Sequence, residues 1–396
     1  MTSALLTDCR LATYVLDAGG GAGQVTLIDH GALVISDDIV AWAGQRSSLP
    51  KQWQDLAPQS CSGRLLTPGL VDAFTGLHPG PTQGVSADLY VAQALAQLAV
   101  SLRQGVTWRE LKTGADTDPD GAMRQLLLAR RIQTAAPQRL SVTLRAAHVS
   151  KDDENHDSYL EILCTKLIPE AHMTGLLDAV EALCDDEVDD ETGLACGFSL
   201  DDASTVLEAA YRKKIPTRLG CERHADTGGV ALAPSFYARC AAYLNFCDEL
   251  GVEALAQART TAMLLPLAQA PGQRLPPVDK LRGNGIPIAL GTAGQDDAGP
   301  TATVRAGEWP SPLLAARRAC ELYGLSGAEA FVGITAAGAR VLGGPNADPR
   351  AGTLSAGASA DLALWDATNL DALLQTDSPP LARRVWVRGR QIDSKG

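Results

Sequence analysis

The chain has 396 residues, of which 45% are hydrophobic and 20% charged; this supports a large core and excludes an intrinsically disordered protein. Its 34 basic against 46 acidic side chains leave a net charge of −12, which repels nucleic acid and anionic membranes, and no local basic patch reverses it. Nine cysteines, odd in number and without CxxC spacing, read as reduced thiols of a cytoplasmic protein; there is no signal-peptide pattern and no run of about 18 apolar residues.

In chain order, residues 1–65 open with short β-branched runs, Val25 to Ile28 and Ala32 to Ser36. A turn at Asp37-Asp38 and a third run, Ile39 to Gly44, complete a hairpin signature. Beyond residue 66, apolar strand-like runs alternate with amphipathic segments such as Val91 to Leu102, Met123 to Ala135, Ser204 to Lys213 and Leu313 to Leu322. That alternation predicts an α/β architecture, a TIM-like (β/α)8 barrel over residues 66–349. The proline- and glycine-rich stretch Ala270 to Pro277 reads as a barrel loop. Leu362 to Trp365 and Arg384 to Arg390 return to the strand-like pattern of the opening residues. Residues 1–65 and 350–396 are therefore expected to share one small composite β-sandwich domain. The tract Gly19-Gly20-Gly21 is not a phosphate loop, since no Lys-Ser/Thr follows. The acidic run from Asp185 to Glu191 reads as a solvated loop before it reads as a cation site.

The segment Leu66 to Leu77 reads L-T-P-G-L-V-D-A-F-T-G-L. With it stand Glu110-x-Lys112-Thr113-Gly114, Ala146-Ala147-His148, Gly228 to Ala233, Ala262 to Pro266, Leu275 to Asp279, Ile288 to Thr292 and Gly357 to Leu362. In their order and spacing these stretches resemble the imidazolonepropionase family of the amidohydrolase superfamily, enzymes of histidine degradation, over nearly the whole chain.

The resemblance implies a metal site whose ligands this chain has replaced. The family's L-T-P-G-L-[IV]-D-x-H-T-H-L places its two first-strand histidines at Phe74 and Gly76. Its K-x-H-A-D-E segment matches Arg218 to Arg223, so Gly220 stands at a ligand position and Arg223 at that of the general-base carboxylate. Its S-A-D-H segment puts Tyr243 at the second catalytic histidine, and its T-D-F-N segment puts Ala293 at the last metal carboxylate. Gln83 stands at the substrate-binding arginine and Ala115 at the tyrosine of S-G-Y-G, while the substrate-binding His148 is kept. No cofactor or metal is expected. A bound metal lowers the pKa of water from about 15.7 to about 7, so about 12 kcal/mol of hydroxide formation has to come from elsewhere.

Candidates for metal-free chemistry lie where the ligands stood. Cys221, Glu222 and His224 follow the strand that carries Gly220, as thiolate or carboxylate nucleophile or base with a nearby imidazole; the plainer reading is a core cysteine and a surface ion pair. Asp296 is a replacement carboxylate or, with Asp297, a turn former. His148 is a substrate contact or a satisfied core histidine. Arg223 and Arg145 are forks for a substrate carboxylate or structural ion pairs, with Gln83 lining the older arginine's place. Tyr243 donates to developing negative charge or fills the space of an imidazole.

The leading expectation is a metal-independent hydrolase of a five-membered imidazolone- or hydantoin-like ring with a propionate tail, in breakdown of a histidine derivative. A sulfur-substituted ring, a thiohydantoin or S-methyl isothiohydantoin, suits it best, because ring protonation makes the carbon electrophilic and a thiol departs readily. The alternative is a non-catalytic member that binds a ligand or stabilises a partner. A carboxylate-bearing small molecule and a second copy of the chain are the expected partners.

Overall fold

The computed structural model describes residues 3–14, 25–76, 85–113, 118–146, 155–185, 197–293, 310–343, 348–375 and 380–392. The N-terminal strands are β1 (Ser3–Tyr14), β2 (Val25–Ser36), β3 (Ile39–Gln45), β4 (Pro58–Ser60) and β5 (Leu65–Pro68). There follow β6 (Leu70–Asp72), β7 (Val106–Lys112), β8 (Arg139–Arg145), β9 (Ala179–Cys184), β10 (Thr217–Cys221), β11 (Cys240–Tyr243), β12 (Thr261–Leu264) and β13 (Ile288–Leu290). The chain closes with β14 (Leu362–Trp365), β15 (Ala382–Val387) and β16 (Arg390–Ile392).

Strands β6 to β13 pair in sequence order and every ladder is parallel, which is the barrel the alternation predicts. The ends of β13 and β6 meet across the remaining seam: Ala293 N donates to Phe74 O at 3.0 Å, and Thr292 N and Oγ1 donate to the Asp72 carboxylate at 3.2 and 2.7 Å. The predicted amphipathic segments fall on helices Ala87–Arg103, Pro119–Ala135, Leu200–Arg212 and Pro312–Tyr323, with Lys213 the residue just past the third. Side chains of Ser86, Asp118, Ser199 and Ser311 accept from the first-turn N–H groups of these helices, so each start is written locally in the sequence. No regular element occupies 270–277, in keeping with a loop there. Among the described residues no helix is long and apolar enough to cross a membrane.

The two chain ends meet in one mixed sheet in the order β16-β15-β14-β5-β1-β2-β3, with β4 on β1. One core of this sheet joins Leu6, Leu33 and Ile35 from the first residues to Leu362, Leu364 and Trp386 from the last. Within this sheet Trp365 of β14, fully buried, donates from Nε1 to Thr67 Oγ1 of the neighbouring β5 at 2.9 Å. The same indole sits over the turn into β7. A Cβ on Gly105, at φ +82, would lie 2.4 Å from the ring, so both the close approach and the left-handed backbone require glycine there.

Candidate active site

Strand periodicity of two turns Trp108, Glu110 and Lys112 of β7 to one face, and the fold makes that face the barrel interior. Lys112 Nζ donates to both oxygens of Glu181, on β9, at 2.6 and 2.8 Å, and lies 3.8 Å from Glu110. Glu110 also pairs with the Arg218 guanidinium from β10 and accepts from Thr143 Oγ1 at 2.6 Å. These four charged side chains are at most 2% exposed, and two cations balance two carboxylates. A buried charge is tolerated only with such pairing.

Above this layer, the positions that the family resemblance assigns to metal do not suit a cation. A Cβ on Gly220 would lie 2.8 Å from Leu183 Cδ1 and 3.2 Å from Tyr243 Cε2, so the room for an imidazole is taken by hydrocarbon. The Phe74 ring stands edge-on to Tyr243, centroids 5.9 Å apart, and its face meets Lys112 Nζ 2.9 Å from the ring centre. Gly76 bridges Lys112 through backbone alone, and Ala293 holds a left-handed backbone with φ +62. Lone pairs are missing and a fixed ammonium lies among these residues, a poor fit to a divalent ion. Among the described residues no three His, Cys, Asp or Glu side chains group so as to hold a metal.

The C-terminal mouth of the barrel carries the polar residues. Glu222, Tyr243, Leu244 and Ala293 all have positive φ at the ends of β10, β11 and β13, and such strained non-glycine backbone gathers where function fixes geometry. Arg223 stacks its guanidinium over the Tyr243 ring at 5.0 Å. Both line a narrow pocket with Asn245, Gln269, Gln273 and Tyr323. Asn245 Nδ2 and Gln273 Nε2 donate to Arg223 O at 3.3 and 3.4 Å, clamping the backbone between Glu222 and His224. Burial pushes the Tyr323 phenol well above its ordinary range, so it stays a neutral donor, and its hydroxyl reaches Gln269 Oε1 at 3.5 Å.

The other candidates from the sequence separate. Cys221 points away from the barrel interior into the core between strands and helices and is fully buried; burial and the neighbouring Glu222 raise its thiol well above 9. That environment favours a neutral packing thiol over a nucleophilic thiolate. Glu222 is tucked beneath the loops after β10 and β11, 3% exposed, where Oε1 accepts from Val230 N at 3.3 Å. Burial raises its carboxyl to about 7. His224 Nδ1 lies 2.8 Å from Asp185 Oδ2, and the imidazole is 31% exposed while Asp185 is fully buried. Arg145, half-buried, ends β8 in register with Glu181, and its N donates to Thr113 Oγ1 at 3.0 Å. Gln83, Ala115, His148 and Asp296 lie outside the described residues.

Asp185 departs from the expectation of a solvated loop: the first residue of the acidic run is a buried partner of His224. Its signal is position, directly after an all-buried strand. Glu181 escapes a reading by motif, and Lys112 is read only as part of the family-like Glu110-x-Lys112 stretch and not as a buried partner, although charges inside an apolar run mark pairing on one strand face. Asn245, Gln269, Gln273 and Tyr323 carry no local sequence signal; loops distant in the chain bring them together.

No family model matches the chain. It is 33% identical to the imidazolonepropionase of Cupriavidus pinatubonensis over 369 residues, covering 84% of this chain and 82% of that protein. It is 31% identical to the imidazolonepropionase of Acidiphilium cryptum over 420 residues, covering 96% and 97%. Among solved structures, a triazine hydrolase variant superposes with a TM-score of 0.73 at 14% identity over 99% of this chain and 94% of that one. E. coli guanine deaminase does so with 0.66 at 16% identity over all of both chains. The parallel barrel, the sheet built from both termini and these full-length relatives together make the chain a member of the imidazolonepropionase family with an amidohydrolase fold.

Proposed function

We propose that this protein is a hydrolase that opens or desulfurises a five-membered imidazolone- or hydantoin-like ring bearing a propionate tail, without a metal, in the breakdown of a histidine derivative. Its relatives are named imidazolonepropionases, and a ring with a carboxyalkyl tail is the substrate that name describes. The observation that carries the reading is Arg223: the position of the family's general-base carboxylate holds a guanidinium stacked on Tyr243, on a residue whose backbone carbonyl accepts from two amides at the mouth. A planar fork so held suits the tail carboxylate, whose older partner is Gln83 here. The replaced metal positions favour a ring carbon activated by sulfur, because a thiol leaves where an amide nitrogen does not.

The test is a panel of imidazolone, hydantoin, thiohydantoin and S-methyl isothiohydantoin propionates, incubated with and without a chelator while ammonia, sulfide and methanethiol are measured. Turnover of a sulfur-substituted ring that survives chelation is the expected result. No turnover across the panel, with no ligand-induced change in melting temperature, overturns the reading in favour of a non-catalytic family member.

A further inference from the structure

Two histidine–aspartate contacts are present among the described residues, and they differ in kind. His156 Nε2 meets Asp202 Oδ2 at 3.2 Å, but that carboxylate also accepts from Ser199 Oγ at 2.6 Å at the start of helix Leu200–Arg212, and His156 itself is buried. This is a capping contact. His224 and Asp185 instead follow β10 and β9, adjacent parallel strands, at the end of a barrel where active sites are built.

Asp185 has no solvent exposure, and among the described residues its Oδ1 has no hydrogen-bond partner. The carboxylate is therefore aimed at one group, the imidazole Nδ1 at 2.8 Å. Its backbone is pinned to Phe198, with Asp185 N donating to Phe198 O at 3.1 Å and Phe198 N donating to Leu183 O at 2.7 Å. The carbonyl just before His224, Arg223 O, accepts from Asn245 Nδ2 and Gln273 Nε2. The partly exposed ring of His224 has no Nε2 partner among the described residues.

We infer that Asp185 is a positioning residue that holds His224 as the Nδ1-protonated imidazole, so that Nε2 presents a basic lone pair to the barrel mouth. The inference rests on the hydrolase reading above for its consequence and assigns the proton transfers there to His224, not to Cys221 or Glu222. A water oxygen forms a bond to the electrophilic ring carbon as its proton passes to Nε2 and the π pair of that carbon's C=O or C=N bond moves onto the oxygen or nitrogen, to return when the leaving group departs. The ring C–N bond, or the C–S bond of a substituted ring, then breaks, and the proton on Nε2 goes to the departing nitrogen or sulfur. Water is the sole co-reactant, and Asp185 stabilises the transient imidazolium.

The experiment is ¹⁵N–¹H correlation spectroscopy of the histidine side chains in the unliganded protein, with His224 identified by its loss in His224→Gln. A neutral ring protonated on Nδ1, with a downfield Nδ1 proton, is expected. Asp185→Leu should convert it to the Nε2-protonated form, and Asp185→Glu should restore the Nδ1 form. A wild-type His224 protonated on Nε2 overturns the inference, whatever the activity. Any turnover found in the panel should fall by about 100-fold or more in kcat with His224→Gln, KM changing little. Unchanged kcat overturns the catalytic role. An inert panel with the Nδ1 form present counts against the hydrolase reading and leaves the tautomer assignment standing.

Discussion

The Lys112 ammonium lies against the face of Phe74, 2.9 Å from the ring centre, while both oxygens of Glu181 accept from it. A covalently tethered cation thus lies against the residue that the family resemblance places at a first-strand metal histidine. Removing it leaves Glu181 charged and 2% exposed. Lys112→Met should destabilise the protein by about 3–5 kcal/mol, the cost of an orphaned buried charge. Lys112→Met with Glu181→Leu should recover most of that loss. Thermal unfolding of the two variants decides it: equal melting temperatures for wild type and the single variant would show that the pair is not a buried one.

The same relationship predicts the metal content. With Phe74, Gly76, Gly220 and Ala293 at the ligand positions, purified protein should hold well under one equivalent of zinc, iron or manganese, and chelators should leave its melting temperature unchanged. Elemental analysis checks the first statement and calorimetry with EDTA the second. A stoichiometric, tightly held transition metal would contradict the assignment of those positions.

Glu222 gives the stability a pH dependence of definite sign. Its folded carboxyl keeps its proton to about pH 7, against about 4.5 for the ordinary carboxyl. The folded state therefore binds the extra proton between those values, and stability falls as pH rises through them, by about 3 kcal/mol. Glu222→Gln should abolish this term and make the protein more stable than wild type above pH 7. Denaturant melts at pH 5 and 8 measure the difference; parallel changes in both proteins would show that Glu222 does not titrate in this window.

The fold was legible because its determinants are local and repeated. Serine and aspartate caps, 3.6-period apolar stripes and β-branched runs recur along the chain, and each says the same thing. For the C-terminal strands, composition announced a return to the opening sheet without fixing their places in it. The order that inserts β14 between β5 and β15 depends on contacts such as Trp365 with Thr67, 298 positions apart. The site was less legible still. Substitution of Phe74 and Gly220 announced a loss, but the polar groups around those positions come from separate elements: Lys112 from β7, Asp185 from the end of β9, Gln273 from a loop after β12. A charged residue in a run of charges gives no sign of being buried, and for that reason Asp185 reads as solvated.

The composite sheet predicts that the tail is structural. Residues 383–396 supply most of β15 and all of β16, including Trp386, which is 3% exposed against Leu362 and Leu364. Deleting them strips β14 of one of its two strand partners and uncovers a core that also holds Ile35 and Val40. The truncated chain should be insoluble or melt many degrees lower. A truncation with the wild-type melting profile would show that the barrel is indifferent to this sheet.

Arg223 separates binding from chemistry. If its fork receives the tail carboxylate, Arg223→Ala should raise KM for a turned-over ring propionate by about 10- to 100-fold, the worth of a charge-assisted bidentate pair, and leave kcat nearly intact. Arg223→Lys should recover only part, since a point charge cannot match two carboxylate oxygens at once, although it can still lie over the Tyr243 ring. The decisive control is the substrate itself: the same ring with the propionate converted to its primary amide should bind wild type as weakly as the acid binds Arg223→Ala, and the variant should not distinguish the two. Steady-state kinetics on the four combinations give the coupling energy directly. A variant that discriminates acid from amide as well as wild type does would move the carboxylate site elsewhere on the mouth, with Arg145 at the end of β8 the next side chain to change.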